Sequence, residues 1–194
     1  MRINEIFYSL QGEGRNTGRA AVFIRLSGCN LKCPFCDTDF DSYTDLTVRQ
    51  IVDEVKGIGG ACRFVVITGG EPTIQDCEIL IDNLHADGYE VAMESNGTRL
   101  APSNVDWLTI SPKQPFVGNI GKPIIKRCNE LKVVYDGKNV VNDYGITTDE
   151  YYIQPCDTGN ISKNERIINE CLNFIKENPK WKLSLQTQKI LKVR

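Results

Sequence analysis

The strongest chemical signal in this chain is a run of three cysteines. The segment Ser27-Gly28-Cys29-Asn30-Leu31-Lys32-Cys33-Pro34-Phe35-Cys36-Asp37-Thr38 sets Cys29, Cys33 and Cys36 at the spacing CxxxCxxC, which lets one loop wrap a metal centre. A closed zinc site wants four N or S ligands. No fourth Cys or His lies nearby, because the single histidine, His85, stands in a helical stretch between Leu84 and Ala86 and reads as a partly solvated helix residue. Zinc completed by distant Cys62, Cys77, Cys128, Cys156 or Cys171 is the competing reading. A cubane held by three thiolates instead leaves one iron without a protein ligand, whereas an electron-transfer cluster closes that position with a fourth cysteine. An open iron points to chemistry. Leu31, Pro34 and Phe35 would shield the cluster from water, and burial with hydrogen bonds to sulfur sets its potential.

A second set of residues suited to chemistry is Gly69-Gly70-Glu71-Pro72, which follows an apolar run and precedes a helical pattern. Glycines there let backbone approach a ligand closely, although a lone Gly-Gly is ordinarily a tight connection. Three further polar clusters follow apolar runs: Glu94-Ser95-Asn96-Gly97-Thr98, Ser111-Pro112-Lys113 and Gln154-Pro155-Cys156-Asp157. Alone, each is an ordinary turn. Their shared position after a strand predicts a ring of donors and acceptors around one mouth, contacting ribose, adenine or a carboxylate. Arg25 shares a strand face with Phe23 and Ala21, so it points inward, where a guanidinium needs an anion. A substrate carboxylate would satisfy it bidentately; the alternative is an internal pair with Glu13 or another acid.

The elements that must position these residues alternate. Apolar runs at 20–26, 63–68, 90–94, 107–111, 130–135, 151–154 and 181–185 read as strands. Amphipathic helical patterns cover 47–56 with Thr47 as N-cap, 75–87, and 162–177, where Ser162 followed by Glu165 reads as a capping box. Alternation of this kind predicts parallel strands with right-handed crossovers, as an open sheet or partial barrel with its site at the carboxyl ends. Only a loop at 113–127 separates two late strands, so the barrel is trimmed, and residues 2–14 read as a strand and turn before the core. No repeat, low-complexity tract or Pro-rich linker interrupts the chain, and one domain over 1–194 is expected.

Composition narrows the class. With 194 residues the chain can bury about 70% of its unfolded surface in a single core. Lys and Arg number 23 against 25 Asp and Glu, so no long-range field favours nucleic acid or an anionic membrane. A small neutral or anionic ligand fits better. The start Met1-Arg2-Ile3-Asn4-Glu5 shows no signal-like apolar run and no stretch is long enough to span a bilayer, so a cytosolic protein is expected. In that compartment clustered cysteines serve metal or redox chemistry. Cys62, Cys77, Cys128 and Cys171 sit singly in helical or apolar context and read as small, inert, buried side chains; Cys156 is set apart by its motif.

The cysteine loop resembles that of the radical S-adenosylmethionine superfamily, and the Gly69-Gly70-Glu71-Pro72 turn after the next strand strengthens the likeness. The resemblance implies a partial (β/α) barrel of the radical SAM type, a [4Fe–4S] cluster on Cys29, Cys33 and Cys36, and S-adenosylmethionine chelated through its amino and carboxylate groups to the open iron. It implies cofactor contacts at Phe35, Cys36 and Asp37, at Gly69 and Gly70 with Glu71 holding the turn, at Ser111, Pro112 and Lys113, and at Gln154, Pro155, Cys156 and Asp157.

Gln11-Gly12-Glu13-Gly14, Arg25, Cys36-Asp37-Thr38, Gly70-Glu71-Pro72, Ser111-Pro112-Lys113 and Gln154-Pro155 together resemble the 7-carboxy-7-deazaguanine synthase family, nearly end to end. That likeness implies conversion of 6-carboxy-5,6,7,8-tetrahydropterin into 7-carboxy-7-deazaguanine with loss of ammonia, on the route to queuosine. It implies Mg²⁺ on Thr38, completed by waters and substrate oxygens. It also implies a substrate site from Leu10, Gln11, Gly12, Glu13, Arg25, Thr68, Gln188 and a terminal carboxylate at Arg194. In the family's reaction the radical takes hydrogen from the carbon bearing the carboxylate, the ring contracts and hydrogen returns. A homodimer and an electron donor such as flavodoxin or ferredoxin come with the resemblance. Gln188 stands where the family usually has a histidine and carries no proton near neutral pH. Two other readings compete: an activase that makes a glycyl radical on a partner protein, and a non-enzymatic cysteine-rich metal-binding module.

Overall fold

The computed structural model describes residues 1–193, so the expectation placed on Arg194 lies outside the described residues. The strands are β1 (Arg2–Leu10), β2 (Ala20–Leu26), β3 (Thr44–Asp45), β4 (Phe64–Gly69), β5 (Glu90–Ser95), β6 (Trp107–Ile110), β7 (Arg127–Tyr135), β8 (Thr147–Pro155) and β9 (Trp181–Leu183). The helices are α1 (Val48–Gly59), α2 (Glu78–Ala86), α3 (Gln114–Val117), α4 (Ile161–Glu177) and α5 (Thr187–Leu191). The strands form one sheet in the order β3-β1-β2-β4-β5-β6-β7-β8-β9. From β2 to β9 every neighbouring pair is parallel and follows chain order. β1 and β3 add to the β2 edge antiparallel. The result is the expected trimmed partial (β/α) barrel with an N-terminal strand extension.

Strand alternation explains where the cores lie. Val22, Ile24, Val65, Ile67, Val91 and Met93 point outward and are covered by Ile51 and Val55 of α1 and Leu80, Ile81 and Leu84 of α2. Leu131, Val133 and Ile153 do the same against Ile167 and Cys171 of α4. Each such side chain contributes roughly 1.5–3 kcal/mol on burial, which is what holds the crossovers to the sheet. On the inner face, Ala21, Phe23, Phe64, Val66 and Ala92 fill one end of the interior with Phe7 and Trp107. Phe7 stacks on Phe23 at 4.9 Å. Towards the carboxyl ends the inner positions are Arg25 of β2, Thr68 of β4, Glu94 of β5, Ser111 just after β6, Lys132 of β7 and Gln154 of β8, and all six face one cavity.

Several boundaries differ from the sequence expectation. Thr47 caps α1 with a reciprocal Gln50 box, as expected. α4, however, begins one residue earlier than read: Asn160 is its cap, its Oδ1 accepting from Lys163 N at 2.9 Å, and Ser162 lies inside the first turn. α2 starts only at Glu78 because Pro72–Ile74 forms its own tight turn. The 113–127 connection carries the short α3, and β9 ends at Leu183 rather than 185. Cys77, Cys128 and Cys171 are buried, and burial pushes the Cys77 and Cys171 thiols up to about 12, so both stay protonated and inert. Among the described residues no helix is long and apolar enough to cross a membrane.

Candidate active site

The cavity at the carboxyl ends of the parallel strands has a volume of about 520 Å³, within the range of small-molecule sites. Cys29, Cys33 and Cys36 all face it, together with Phe35, Asp37 and Thr38 of the same loop. The loop is tied at both ends, because Phe40 O accepts from Gly28 N at 3.0 Å and from Ser27 Oγ at 2.6 Å. Phe35 packs edge-on against Phe116 of α3, which backs the loop from outside. Leu31 is buried, and its N–H lies 3.4 Å from Cys29 Sγ, a donor of the kind that tunes a cluster. Burial pushes the Cys29 and Cys33 thiols up, so a metal's positive charge is needed to make them thiolates. Among the described residues no three Cys, His, Asp or Glu side chains converge on a point that one ion would occupy.

The Gly69-Gly70 turn fits against this loop for a reason that its sequence only half disclosed. A Cβ on Gly70 would stand 1.9 Å from Gly28 O, so the two loops meet backbone to backbone, and Glu71 N donates to Gly28 O at 2.9 Å. Both glycines also line the cavity. Glu71 is fully buried and does not reach the cavity wall. Its Oε1 accepts from Thr73 N, Thr73 Oγ1 and Ser95 Oγ at 2.7–3.0 Å, and its Oε2 from Asn96 N at 2.7 Å. One carboxylate thus locks the ends of β4 and β5 together. Asn96 Nδ2 donates to Asn30 Oδ1 at 3.0 Å and joins β5 to the cysteine loop.

The remaining strand ends complete the ring. Ser111, Lys113, Gln154, Pro155, Cys156 and Asp157 face the cavity, whereas Pro112 does not. Lys113 Nζ donates to Ser111 O at 2.8 Å and Ser111 Oγ at 2.6 Å, and burial pulls its ammonium below the ordinary lysine range. Asp157 is held at about 2, chiefly by the Gly159 N–H and by Asn164 and Lys189. Lys189 of α5 pairs with both Asp157 at 3.1 Å and Asp37 at 2.9 Å, bridging the β8 end to the cysteine loop.

Leu10, Gln11, Gly12, Glu13, Arg25, Thr68 and Gln188 line the same space. Arg25 has an acid, and it is Glu5: the cross-strand Nε–Oε1 distance is 2.8 Å, with the guanidinium still facing the cavity. Glu13, the acid considered for Arg25, pairs instead with Lys132 at 2.6 Å, and Lys132 reaches Glu94 at 2.8 Å. Gln11 Nε2 donates to Glu94 Oε1 at 2.9 Å, and Gln186 and Gln188 donate to Glu13 Oε1 at 2.9 and 3.3 Å. Burial opposes the Glu13 charge, but the Lys132 ammonium and these hydrogen bonds hold its carboxyl at about 2. A Cβ on Gly12 would stand 2.9 Å from Gln188 N, so the Gln11–Glu13 turn and the start of α5 meet closely there.

Glu5, Lys132, Gln186 and Lys189 were missed by sequence reasoning. For Lys132 a signal existed: Glu130-Leu131-Lys132-Val133-Val134 alternates charged with apolar residues in a run otherwise fit for a core strand.

A partial barrel whose open end carries three cysteines on one loop defines a class, and comparison with known proteins agrees. The family model of the radical SAM superfamily matches residues 23–158. The 7-carboxy-7-deazaguanine synthase of Bacteroides thetaiotaomicron is 44% identical over all of this chain and 98% of that protein. The enzyme of the same name from Haemophilus influenzae is 37% identical, covering 97% and 92%. The crystal structure of QueE from Escherichia coli superposes with a TM-score of 0.75 at 26% identity, covering 95% of this chain and 92% of that one. This chain therefore belongs to the 7-carboxy-7-deazaguanine synthase family of radical SAM enzymes. Membership brings a [4Fe–4S] cluster and S-adenosylmethionine, and the thiol wall beside the Gly69–Gly70 turn fits both.

Proposed function

We propose that this chain converts 6-carboxy-5,6,7,8-tetrahydropterin into 7-carboxy-7-deazaguanine with release of ammonia, feeding queuosine or another 7-deazapurine. Relatives matched over more than nine-tenths of their length bear the name of that activity, which supports the reading. The observation that carries it is a single cavity joining the three thiols to an inward guanidinium and to the Gln11–Glu13 turn.

In this reading Cys29, Cys33 and Cys36 hold the cluster. Phe35 to Asp37, Gly69, Gly70, Ser111, Lys113 and Gln154 to Asp157 bind and orient the cofactor, while Glu71, buried behind the wall, holds the Gly69–Gly70 turn. When bound, cluster and S-adenosylmethionine together would supply the radical chemistry that starts the reaction. Arg25 receives the substrate carboxylate on the terminal N–H groups of its fork while Glu5 keeps the Nε–H in place. Backbone of Leu10 to Gly12 and of Thr68 reads the donor and acceptor edge of the heterocycle, with Glu13 and Gln188 beside it. Glu13 stays ionised throughout the working pH range and so accepts N–H groups without titrating. Thr38 offers its hydroxyl to Mg²⁺, the rest of the shell coming from water and substrate oxygens. Leu31 and Phe35 keep water from the reacting centre. We read the protein further as one domain and a cytoplasmic homodimer reduced by a flavodoxin- or ferredoxin-type donor, a reading that rests on its family.

Anaerobic reconstitution followed by assay with the tetrahydropterin, S-adenosylmethionine and reductant tests the proposal. Release of 7-carboxy-7-deazaguanine is expected, and it should fall after chelation and return with Mg²⁺. A fully loaded cluster that cleaves the cofactor yet yields no deazapurine would overturn it.

A further inference from the structure

We propose that Lys132 is the positioning residue of the substrate side of this cavity: its ammonium keeps Glu13 and Glu94 together as carboxylates and thereby fixes the Gln11–Glu13 turn in the shape that receives the heterocycle. The inference rests on the functional reading above, because it takes that turn as the substrate's seat.

Lys132 sits on the inner face of β7 with its side chain only 3% exposed, yet it lines the cavity. Its Nζ meets carboxylates from two distant parts of the chain, Glu13 at 2.6 Å and Glu94 at 2.8 Å. Both ends of the turn are thereby tied to one nitrogen. Glu13 is held directly, and Gln11 is held through Glu94 Oε1 at 2.9 Å, while Glu13 N donates back to Gln11 Oε1 at 3.2 Å. A buried ion pair is a poor way to gain stability, since apolar side chains of similar volume serve as well or better. A lysine kept in the cavity wall, holding two acids that both line the same cavity, is better explained by what those acids must do.

The charges facing Lys132 are Glu13, Glu94 and Glu130, with the Lys113 ammonium nearby. Glu130 lies two residues along β7, is pushed upward by burial, and accepts from Arg15 N at 3.0 Å just beyond the turn. Without Lys132, Glu13 and Glu94 would be two carboxylates within reach of the same vacated position. Like charges so placed share one proton, and the pair titrates at a raised pKa. The turn would then change shape with pH.

The test compares reconstituted wild type with Lys132→Met and with Lys132→Met/Glu94→Gln, measuring kcat and KM for the tetrahydropterin from pH 5 to 9 and thermal unfolding of each. Wild type should show no pH limb in KM that arises from Glu13. Lys132→Met should raise KM on the order of 100-fold, with kcat falling less, and should show a new limb in which affinity improves as pH rises. The double variant keeps the network's net charge and removes the repulsion, so it should recover much of the KM and move the limb to lower pH. Equal impairment of both variants with a pH-independent KM would overturn the proposal, as would a wild-type KM in Lys132→Met. If Lys132→Met does not fold, rescue of folding by Glu94→Gln supports the charge role, and an equally unfolded double variant overturns it. Failure of wild type itself to turn over the pterin would instead sink the functional reading.

Discussion

The two sides of the cavity are built on different plans. The cysteine side is assembled from short contiguous stretches: one loop closed on itself through Phe40, one Gly-Gly turn laid against Gly28, and one buried carboxylate, Glu71, that gathers four donors from the next strand end and its own turn. The substrate side is assembled from residues far apart in the chain, with Glu13, Glu94, Lys132, Gln186 and Gln188 meeting in one network. Local construction suits a site that must present thiols to iron at fixed spacing. Long-range construction suits a site whose polar groups must be held ionised and hydrogen-bonded while facing an empty space, because only neighbouring strands supply the counter-charges.

This contrast can be broken or sharpened experimentally. The largest effect is expected at the cysteine side: Cys33→Ala should lose all turnover and the iron absorbance of the reconstituted cluster, with the fold retained in circular dichroism. Next, Arg25→Met should raise the substrate KM by about 100-fold, since it removes a charge-assisted fork from the carboxylate. Cofactor cleavage without substrate should stay near wild type, so an equal loss of both would place Arg25 on the wrong side of the comparison.

Smaller effects concern stability. Glu71→Gln places an NH₂ where only donors converge, and urea unfolding should show a loss of about 1–3 kcal/mol. A variant as stable as wild type would show that the carboxylate is not the lock between β4 and β5. Glu13 has the opposite kind of signature. Its folded pKa of about 2 lies below the ordinary 4.5, so its contribution to stability is complete above pH 4.5 and is lost as pH falls towards 2. Glu13→Gln should flatten that acid limb in a pH series of unfolding midpoints. Least of all should change in Lys189→Ala: its bridge to Asp37 and Asp157 is partly exposed and worth at most ~1 kcal/mol.

The same contrast explains how much of the site was legible. Cys29, Cys33, Cys36, Gly69, Gly70 and Glu71 announce themselves because their spacing and the strand before them are local properties of the chain. Arg25 could be aimed inward by counting along β2, but its partner could not be named, since Glu5 reaches it only through the antiparallel register of β1 on β2. The Ser162–Glu165 spacing predicts a cap at Ser162, but Asn160 caps the helix instead, having an extended backbone and an amide oxygen that accepts from Lys163 N. Lys132 stands in an apolar run, and nothing near it in the chain shows Glu13 and Glu94, the two acids that bury it.

By itself the sequence determined the alternating elements, the inward face of β2 that carries Arg25, and a thiol loop with an unclaimed iron position, all of which follow from periodicity and from ligand chemistry within a few residues. Only the tertiary structure decided which charges neutralise which, because pairing in a barrel depends on strand order and register rather than on distance along the chain. For a buried carboxylate, that pairing is what sets its charge and hence what it can hold.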